Sequence, residues 1–79
     1  MRAVIQRVSR ASVTIDNQVY SSINRGLLIL LGIEENDTQV DIDWLVKKTV
    51  NMRIFGDDNG KMNLSVLDIK GEILVVSQF

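Results

Sequence analysis

The sequence predicts an α+β fold in which an antiparallel-rich sheet is joined by one main helix, at about residues 38–52. Three observations predict it. Residues 2–33 consist of short apolar or alternating segments separated by turn residues, which is typical of strands. From residue 38 the apolar spacing changes to i, i+3, i+4, which is the period of a helix. Residues 73–76 are again a short apolar run, which predicts a final strand.

The first 33 residues predict four strands. Residues 2–9 and 11–16 form the first two, and Asp16-Asn17 after them predicts a two-residue hairpin turn, since Asn tolerates the positive φ of type I′ geometry. Residues 19–23 then return as the third strand. Residues 27–33 are continuously apolar, so this fourth strand is expected to be buried on both faces. Strands that follow one another so closely predict a β-meander.

The helix has both a start signal and an apolar face. Asn36, Asp37 and Thr38 offer N-cap oxygens, and acidic residues crowd the first turn, where the helix dipole favours them. Lys47 and Lys48 stand near its end. The residues at helical spacing predict one core-facing side, which Val40 and Trp44 would extend: Ile42, Leu45, Val46, Thr49 and Val50. Trp44 is therefore expected to anchor the core.

The secondary structure of residues 53–79 is predicted for some segments and not for others. Residues 53–55 form a short extended piece and residues 56–60 are a turn cluster. Residues 61–71 fit neither the strand nor the helix period. Residues 72–78 form the last strand.

Length and composition limit the classes of function. A chain of 79 residues makes one domain, residues 1–79, and burial of only roughly 60% of the unfolded surface makes such a domain marginal. No disulfide can compensate, because the chain has no Cys. Without His or Cys, a Ser-His-Asp triad, a Cys nucleophile and a zinc site of the usual type are excluded within the chain. The first residues lack the long apolar region of a signal peptide, so a cytoplasmic location without a membrane partner is expected.

Charge is distributed unevenly although the net charge is only −1, a value that argues against a generic nucleic-acid binder. Arg2, Arg7 and Arg10 lie near the start with no acid among them, and residues 34–43 are acidic. Two interpretations stand: both segments are solvated surface, or the arginines form a basic face for a phosphate-bearing ligand.

The end of the last strand is the candidate site. Ser77 and Gln78 follow four consecutive apolar residues, either because the strand leaves the core or because its backbone N–H groups form an oxyanion hole. Neither side chain titrates near neutral pH, so any base must come from elsewhere. Arg7 interrupts an apolar strand, and it either faces solvent on an edge strand or holds a carbonyl or carboxylate with its planar fork of donors.

Together these segments resemble the N-terminal half of a D-aminoacyl-tRNA deacylase. The resemblance covers the whole chain in order, and about half of the family's usual length. The matching stretches are residues 1–13 (MRAVIQRVSRASV), 26–33 (GLLILLGI), 53–55 (RIF), 60–65 (GKMNLS) and 75–79 (VVSQF).

The resemblance implies a β-barrel-like α+β fold, here a partial domain, and a homodimer with active sites at its interface. It implies hydrolysis of the ester that links a D-amino acid, or glycine on the wrong tRNA, to the 3′ end of tRNA, without metal or organic cofactor. Ser77, Gln78 and Phe79 would be the catalytic residues. Arg7, Met62 and Asn63 would support the pocket. The terminal 2′-hydroxyl of the tRNA would assist the reaction, which suits a chain with no His, no Cys and no visible base.

The chain also departs from the family pattern. The family motif continues beyond Phe79 with a Thr, and the family selects against L-amino acids with a cis Gly-Pro pair, whereas this sequence has no Pro. The 79 residues alone are therefore expected to be inactive or unselective. Two other functions remain open: a small RNA-binding barrel module, and an inactive interaction fragment that dimerises through the apolar strand at residues 72–79.

Overall fold

The computed structural model describes residues 1–77. It contains seven strands and, within those residues, a single helix. In chain order the elements are β1 (Arg2–Val8), β2 (Ala11–Ile15), β3 (Gln18–Ile23), β4 (Gly26–Gly32), α1 (Gln39–Asn51), β5 (Phe55–Gly56), β6 (Met62–Leu64) and β7 (Glu72–Ser77). The α+β class, the single main helix and the last strand are confirmed, with Gln78 of the predicted strand lying outside the described residues.

The sheet topology differs from the predicted meander. β4 is the central strand of a three-stranded sheet, with β1 antiparallel on one side and β7 parallel on the other. β2 and β3 form a hairpin of their own, and β5 pairs with β6. The meander prediction was wrong because β4 recruits the distant strands β1 and β7 instead of its neighbour β3. Within residues 1–77 the strands form three separate sheets and do not close into a barrel.

The hairpin turn follows the prediction. Asp16 and Asn17 have φ angles of 50° and 65°, so both central residues are left-handed, as type I′ geometry requires. Ile15 pairs with Gln18 directly across this turn. The local sequence alone therefore determines this element.

The main core lies on one face of the three-stranded sheet. Because side chains alternate along a strand, Leu27 and Ile29 of β4 point to the same face, where both are buried with Phe55 and Val66. Ala3 and Ile5 of β1 and Val50 of α1 pack against this cluster. The helix and the segments after it therefore cover the face to which the odd-numbered residues of β4 point.

The helix begins at a capping box. The backbone N–H of Thr38 donates to the Asp41 carboxylate at 2.9 Å, and the box is completed by the Thr38 side chain and the backbone of Asp41. The N-cap is thus the third of the three predicted candidates. No helix among residues 1–77 has the length and apolar character needed to cross a membrane.

Trp44 does not anchor the core, contrary to the prediction. Its side chain is 64% exposed, with the Lys48 ammonium 6.0 Å from the ring centroid. The inward side of α1 is set by Thr49, which is buried, and by Ile42 and Leu45, which are half-buried. Trp44 lies at the border of this inward side, because an advance of 100° per residue along the helix turns its side chain away from the sheet.

Residues 65–71, which the sequence left unassigned, form a capped turn. The Ser65 N–H donates to the Asp68 carboxylate at 2.8 Å, and this hydrogen bond, followed by one from the Ser65 hydroxyl, lowers the pKa of Asp68 below its ordinary value. At the other end, Lys70 adopts a left-handed φ of 52° and the Gly71 N–H donates to the Val66 carbonyl at 2.9 Å. The Lys70 N–H also donates to the Leu67 carbonyl at 3.1 Å, and the two hydrogen bonds form a Schellman motif, which ends the turn and leads the chain into β7.

The N-terminus is held by an acid from the loop before the helix. The Met1 α-ammonium lies 2.8 Å from a carboxylate oxygen of Asp37, and the other oxygen accepts the Glu34 N–H at 2.7 Å. The hydrogen bond from the ammonium, aided by that from Glu34, lowers the pKa of Asp37 below its ordinary 3.8. The same hydrogen bond with Asp37 raises the pKa of the α-ammonium above its ordinary 8.0.

Substituting Asp37→Asn should lower the melting temperature near neutral pH and change its pH dependence. The lowered pKa of Asp37 means that its contribution is present above pH 3.8 and is lost as the pH falls through the folded value. The raised pKa of the α-ammonium means that its contribution is complete below pH 8.0 and is lost as the pH rises through the raised value. The melting temperatures of wild type and variant should therefore differ most between pH 3.8 and pH 8.0. Thermal melts across pH check this, with Asp58→Asn, an exposed acid of the β5–β6 turn, as control; a pH-independent difference would contradict the ion pair.

Candidate active site

Ser77 lies where the sequence predicted it, at the carboxyl end of β7. It is exposed and pairs with Leu31 of β4 in the parallel register. Since Leu31 and Leu27 share a face, Ser77 lies on the same face of the sheet as the main core. Gln78 and Phe79, the other predicted catalytic residues, lie outside the described residues. The oxyanion-hole hypothesis therefore stays a prediction.

Next to this end of β7 runs an apolar groove between α1 and the sheet. It encloses about 320 Å³. Its lining residues come from the N-terminus, β4 and its continuation, α1 and β7: Met1, Ile29, Leu31, Ile33, Ile42, Leu45, Val46, Thr49, Val50, Ile73 and Val75. The titratable group among them is the Met1 α-ammonium, which is paired with Asp37. The groove therefore offers an apolar surface and no general base.

Arg7 combines features of the two predicted alternatives. Its side chain is exposed on β1, an outer strand of the sheet, and its Nη1 donates to the backbone carbonyl of Ile54 at 2.6 Å. The guanidinium thus ties β1 to the segment that enters β5. A Lys would present a single ammonium in place of the planar fork, so the two residues are not equivalent here.

A second, more polar cavity of about 310 Å³ lies beside Arg7. Its lining includes Arg25, whose guanidinium lies 5.4 Å from the centroid of the Phe55 ring, a cation–π distance. Ser9 and Gly56 complete its polar side. Sequence reasoning missed Arg25, because its position in the turn before β4 gave no sign that it would meet Phe55.

The predicted support residues Met62 and Asn63 lie in the short strand β6, and both are exposed. Met62 pairs with Gly56, which lines the cavity beside Arg7. The structure therefore brings Met62 and Arg7 to the same region of the molecule.

Arg7 and Ser77, in contrast, lie at opposite ends of the sheet. Arg7 pairs with Leu27 and Ser77 pairs with Leu31, so four residues of β4 separate them along the strand direction. This corresponds to about 13 Å along the strand and about 10 Å across the sheet, because β1 and β7 flank β4 on opposite sides. One copy of the chain does not place these two predicted site residues in one pocket.

The predicted basic face is not formed either. Arg2 and Arg7 are five residues apart in the same strand, and side chains an odd number apart point to opposite faces. The hypothesis of one basic surface from Arg2, Arg7 and Arg10 was therefore wrong. Among residues 1–77, no three His, Cys, Asp or Glu side chains are grouped as metal ligands.

Comparison with known proteins decides the family. Residues 4–79 match the family model described as D-Tyr-tRNA(Tyr) deacylase. The chain belongs to the D-Tyr-tRNA(Tyr) deacylase family. It is 70% identical to the D-aminoacyl-tRNA deacylase of Azobacteroides pseudotrichonymphae genomovar. CFP2 and 66% identical to that of Bacteroides thetaiotaomicron, in each case over the whole chain and 53% of the relative.

A solved structure shows that the deacylase-family chain shares its fold with a longer protein. The c-Myc DNA Unwinding Element Binding Protein superposes with a TM-score of 0.95 and is 50% identical, covering the whole of this chain and 54% of its own. The family predicted from the motifs is thus confirmed. The chain spans about half the length of the curated relatives it matches.

Proposed function

We propose that this chain supplies one half of an enzyme that hydrolyses the ester bond of D-aminoacyl-tRNA, and of glycyl-tRNA charged on the wrong tRNA. The products are free amino acid and tRNA, as in proofreading of chirality. The observation that carries the proposal is the match to the deacylase family from residue 4 to residue 79, which includes the Ser77-Gln78-Phe79 segment. The setting would be the cytoplasm, where aminoacyl-tRNA is used.

The proposed chemistry takes place at the end of β7. Backbone N–H groups at Ser77, Gln78 and Phe79 would polarise the ester carbonyl and stabilise the tetrahedral intermediate, an effect worth about 3–4 kcal/mol in comparable sites. The apolar groove supports this placement, because Val75, two residues before Ser77 on the same face of β7, lines it. Since the groove offers no base, water would attack the ester carbon while its proton passes through the 2′-hydroxyl of the terminal ribose to the departing 3′-oxygen. The ester C–O bond breaks, which leaves the free amino acid and the 3′-hydroxyl of the tRNA.

Arg7, Met62 and Asn63 are proposed to support the pocket rather than to react. Arg7 would do so through the Ile54 carbonyl that it already holds. Its distance from Ser77 within one chain supports a homodimer, in which Arg7 of one copy could approach Ser77 of the other. Such an arrangement would complete a site that one copy leaves divided.

Release of D-tyrosine from D-tyrosyl-tRNA tests this function. The 79-residue chain should be combined with the part of the Bacteroides thetaiotaomicron relative that lies outside the match. We expect the combination to release D-tyrosine and to spare L-tyrosyl-tRNA, and the 79 residues alone to release little or to lack selectivity. Equal hydrolysis of both substrates by the combination, or no hydrolysis of either, would refute the proposal.

A nucleic-acid-binding role is the second candidate, because the structural neighbour is named for binding a DNA element. It predicts that the chain binds plain single-stranded DNA or RNA with an affinity that falls steeply with salt. A deacylase should instead prefer an aminoacylated 3′ end. Competition between charged and uncharged tRNA, measured at two salt concentrations, separates the two roles.

A further inference from the structure

The turn between β5 and β6 contains an Asn-Gly pair, Asn59-Gly60, and both residues are exposed. Gly60 has a left-handed φ of 76°, and apart from its chain neighbours no atom lies within 4 Å of the position that a Cβ would take. Because glycine carries no side chain, its backbone nitrogen is the least hindered one that can follow an Asn. The turn therefore places a side-chain amide carbon next to an accessible backbone nitrogen.

The other Asn residues of the sequence lack this neighbour. Asn17 is the best comparison, because it is also exposed, lies in a tight turn and has a left-handed φ of 65°, but Gln18 follows it. A side chain on the following residue hinders approach of the backbone nitrogen to the Asn amide. Every remaining Asn is likewise followed by a residue with a side chain: Asn24, Asn36, Asn51 and Asn63.

The carboxylate of Asp57 holds the turn closed. One of its oxygens accepts the Asn59 N–H at 2.9 Å and the Lys61 N–H at 3.0 Å. The backbone adds two hydrogen bonds, since the Asp57 N–H donates to the Lys61 carbonyl at 2.8 Å and the Gly60 N–H donates to the Asp57 carbonyl at 3.0 Å. The nitrogen of Gly60 therefore keeps its proton in a hydrogen bond as long as the turn is closed.

We propose that Asn59 is a site of spontaneous deamidation and that Asp57 sets its rate by keeping the turn closed. When the turn opens, the Gly60 nitrogen loses its proton to water and bonds to Cγ of Asn59. The bond between Cγ and Nδ2 breaks, and the nitrogen leaves as ammonia. The resulting succinimide is opened by one water molecule, so the sequence of steps needs neither an oxidant nor a reductant.

Two products follow from the opening of the succinimide. Attack of water at the side-chain carbonyl gives an ordinary aspartyl residue at position 59. Attack at the main-chain carbonyl gives an isoaspartyl residue, which carries the chain through its side chain and makes the backbone one methylene longer. Both products add a negative charge to a turn that already contains Asp57 and Asp58.

The isoaspartyl product has a structural consequence because the turn fixes the pairing of β5 with β6. Gly56 pairs with Met62 and Phe55 pairs with Leu64, so a longer turn shifts this register. Phe55 belongs to the main core, which connects the turn to the stability of the whole chain. This inference rests on the turn alone and does not depend on the proposed function.

Peptide mapping by mass spectrometry tests the proposal. The 79-residue chain is incubated at mildly alkaline pH, both folded and unfolded in guanidinium chloride. We expect conversion of Asn59 to an acid in both samples, with none at Asn17 over the same time. The folded chain should convert at least about fivefold more slowly than the unfolded chain, because only the open turn reacts. Fragmentation that distinguishes isoaspartyl from aspartyl residues should find both products.

Two substitutions separate the role of Asp57 from the charge of the turn. Asp57→Ala should speed the conversion of Asn59 in the folded chain at least about fivefold, because the turn loses two hydrogen bonds to a charged acceptor and opens more often. Asp58→Ala is the matched control, since it removes the neighbouring exposed acid, and its rate should equal that of wild type. Circular dichroism should show that both variants are folded.

Several results would overturn the proposal. No conversion of Asn59 in the folded chain, over a time in which the unfolded chain converts completely, would show that the turn does not react. Equal rates in the folded and unfolded chains, or in the folded wild type and Asp57→Ala, would exclude control by the closed turn. Finally, the isoaspartyl form should melt at a lower temperature than the Asn59→Asp variant, and equal melting temperatures would contradict the predicted shift of the β5–β6 register.

Discussion

Gly26→Ala should destabilise this protein more than any other single methyl group added to a glycine. A Cβ at Gly26 would overlap the backbone carbonyl of Glu72, the residue with which Gly26 starts the parallel β4–β7 register. Backbone atoms cannot rotate away as a side chain can, so the two strands would have to separate at this end. We expect a loss of about 3 kcal/mol or more in the free energy of unfolding, measured by urea denaturation.

Gly32→Ala is the matched control in the same strand. A Cβ there would lie 3.7 Å from the Arg2 carbonyl oxygen, which is an ordinary van der Waals distance. Its effect should stay within about 1 kcal/mol. Similar losses for the two variants would contradict this explanation, because of the two glycines only Gly26 lies in such close contact with the backbone of β7.

Phe55→Ala is expected to have the other large effect. The ring is only 1% exposed, contacts the core around Leu27, and carries the Arg25 guanidinium over its face. Removing it should cost about 3–5 kcal/mol through lost burial and the cavity left behind. The whole stability expected for 79 residues is about 4–12 kcal/mol, so the variant should unfold at a much lower urea concentration or fail to fold.

Tyr20→Ala provides the comparison, since this aromatic side chain is 75% exposed on β3. Its effect should stay within about 0.5 kcal/mol. Phe55→Leu should fall between the two, because it keeps most of the apolar volume and loses the ring that Arg25 covers. A Phe55→Ala protein as stable as Tyr20→Ala would place the core elsewhere.

Local signals were sufficient for the elements that depend on neighbouring residues. The Asp16-Asn17 turn follows from two residues that tolerate positive φ. The helix start follows from Thr38 and the acid three residues later. In both cases the hydrogen bonds that determine the structure connect residues close in sequence.

Local sequence signals could not predict which distant strands pair with each other. Whether β4 pairs with β3 or with β1 and β7 depends on which faces can be buried together, and the sequence pattern of β4 is apolar in either arrangement. The exposure of Trp44 has a similar origin, because helical spacing gives an apolar stripe but not the angle at which the sheet meets it.

The candidate site divides in the same way. Ser77 was predicted from a local pattern, the end of an apolar strand, and lies there. Two contacts join segments 30 or more residues apart in the sequence: the ion pair between Met1 and Asp37, and the contact between Arg25 and Phe55. No sequence motif predicts either of them. The separation of Arg7 from Ser77 could be recognised only from the strand register.

The central proposal is that ester hydrolysis at the end of β7 would use backbone amides and the substrate's own 2′-hydroxyl, with no ionisable side chain of this protein. The most direct measurement is the rate of D-tyrosine release from D-tyrosyl-tRNA whose terminal ribose lacks the 2′-hydroxyl. The protein in this assay is the 79-residue chain combined with the part of the Bacteroides thetaiotaomicron relative that lies outside the match. We predict a loss of at least about 100-fold, the usual contribution of a positioned proton acceptor. An unchanged rate would contradict the claim and would mean that a side chain of the protein acts as the base.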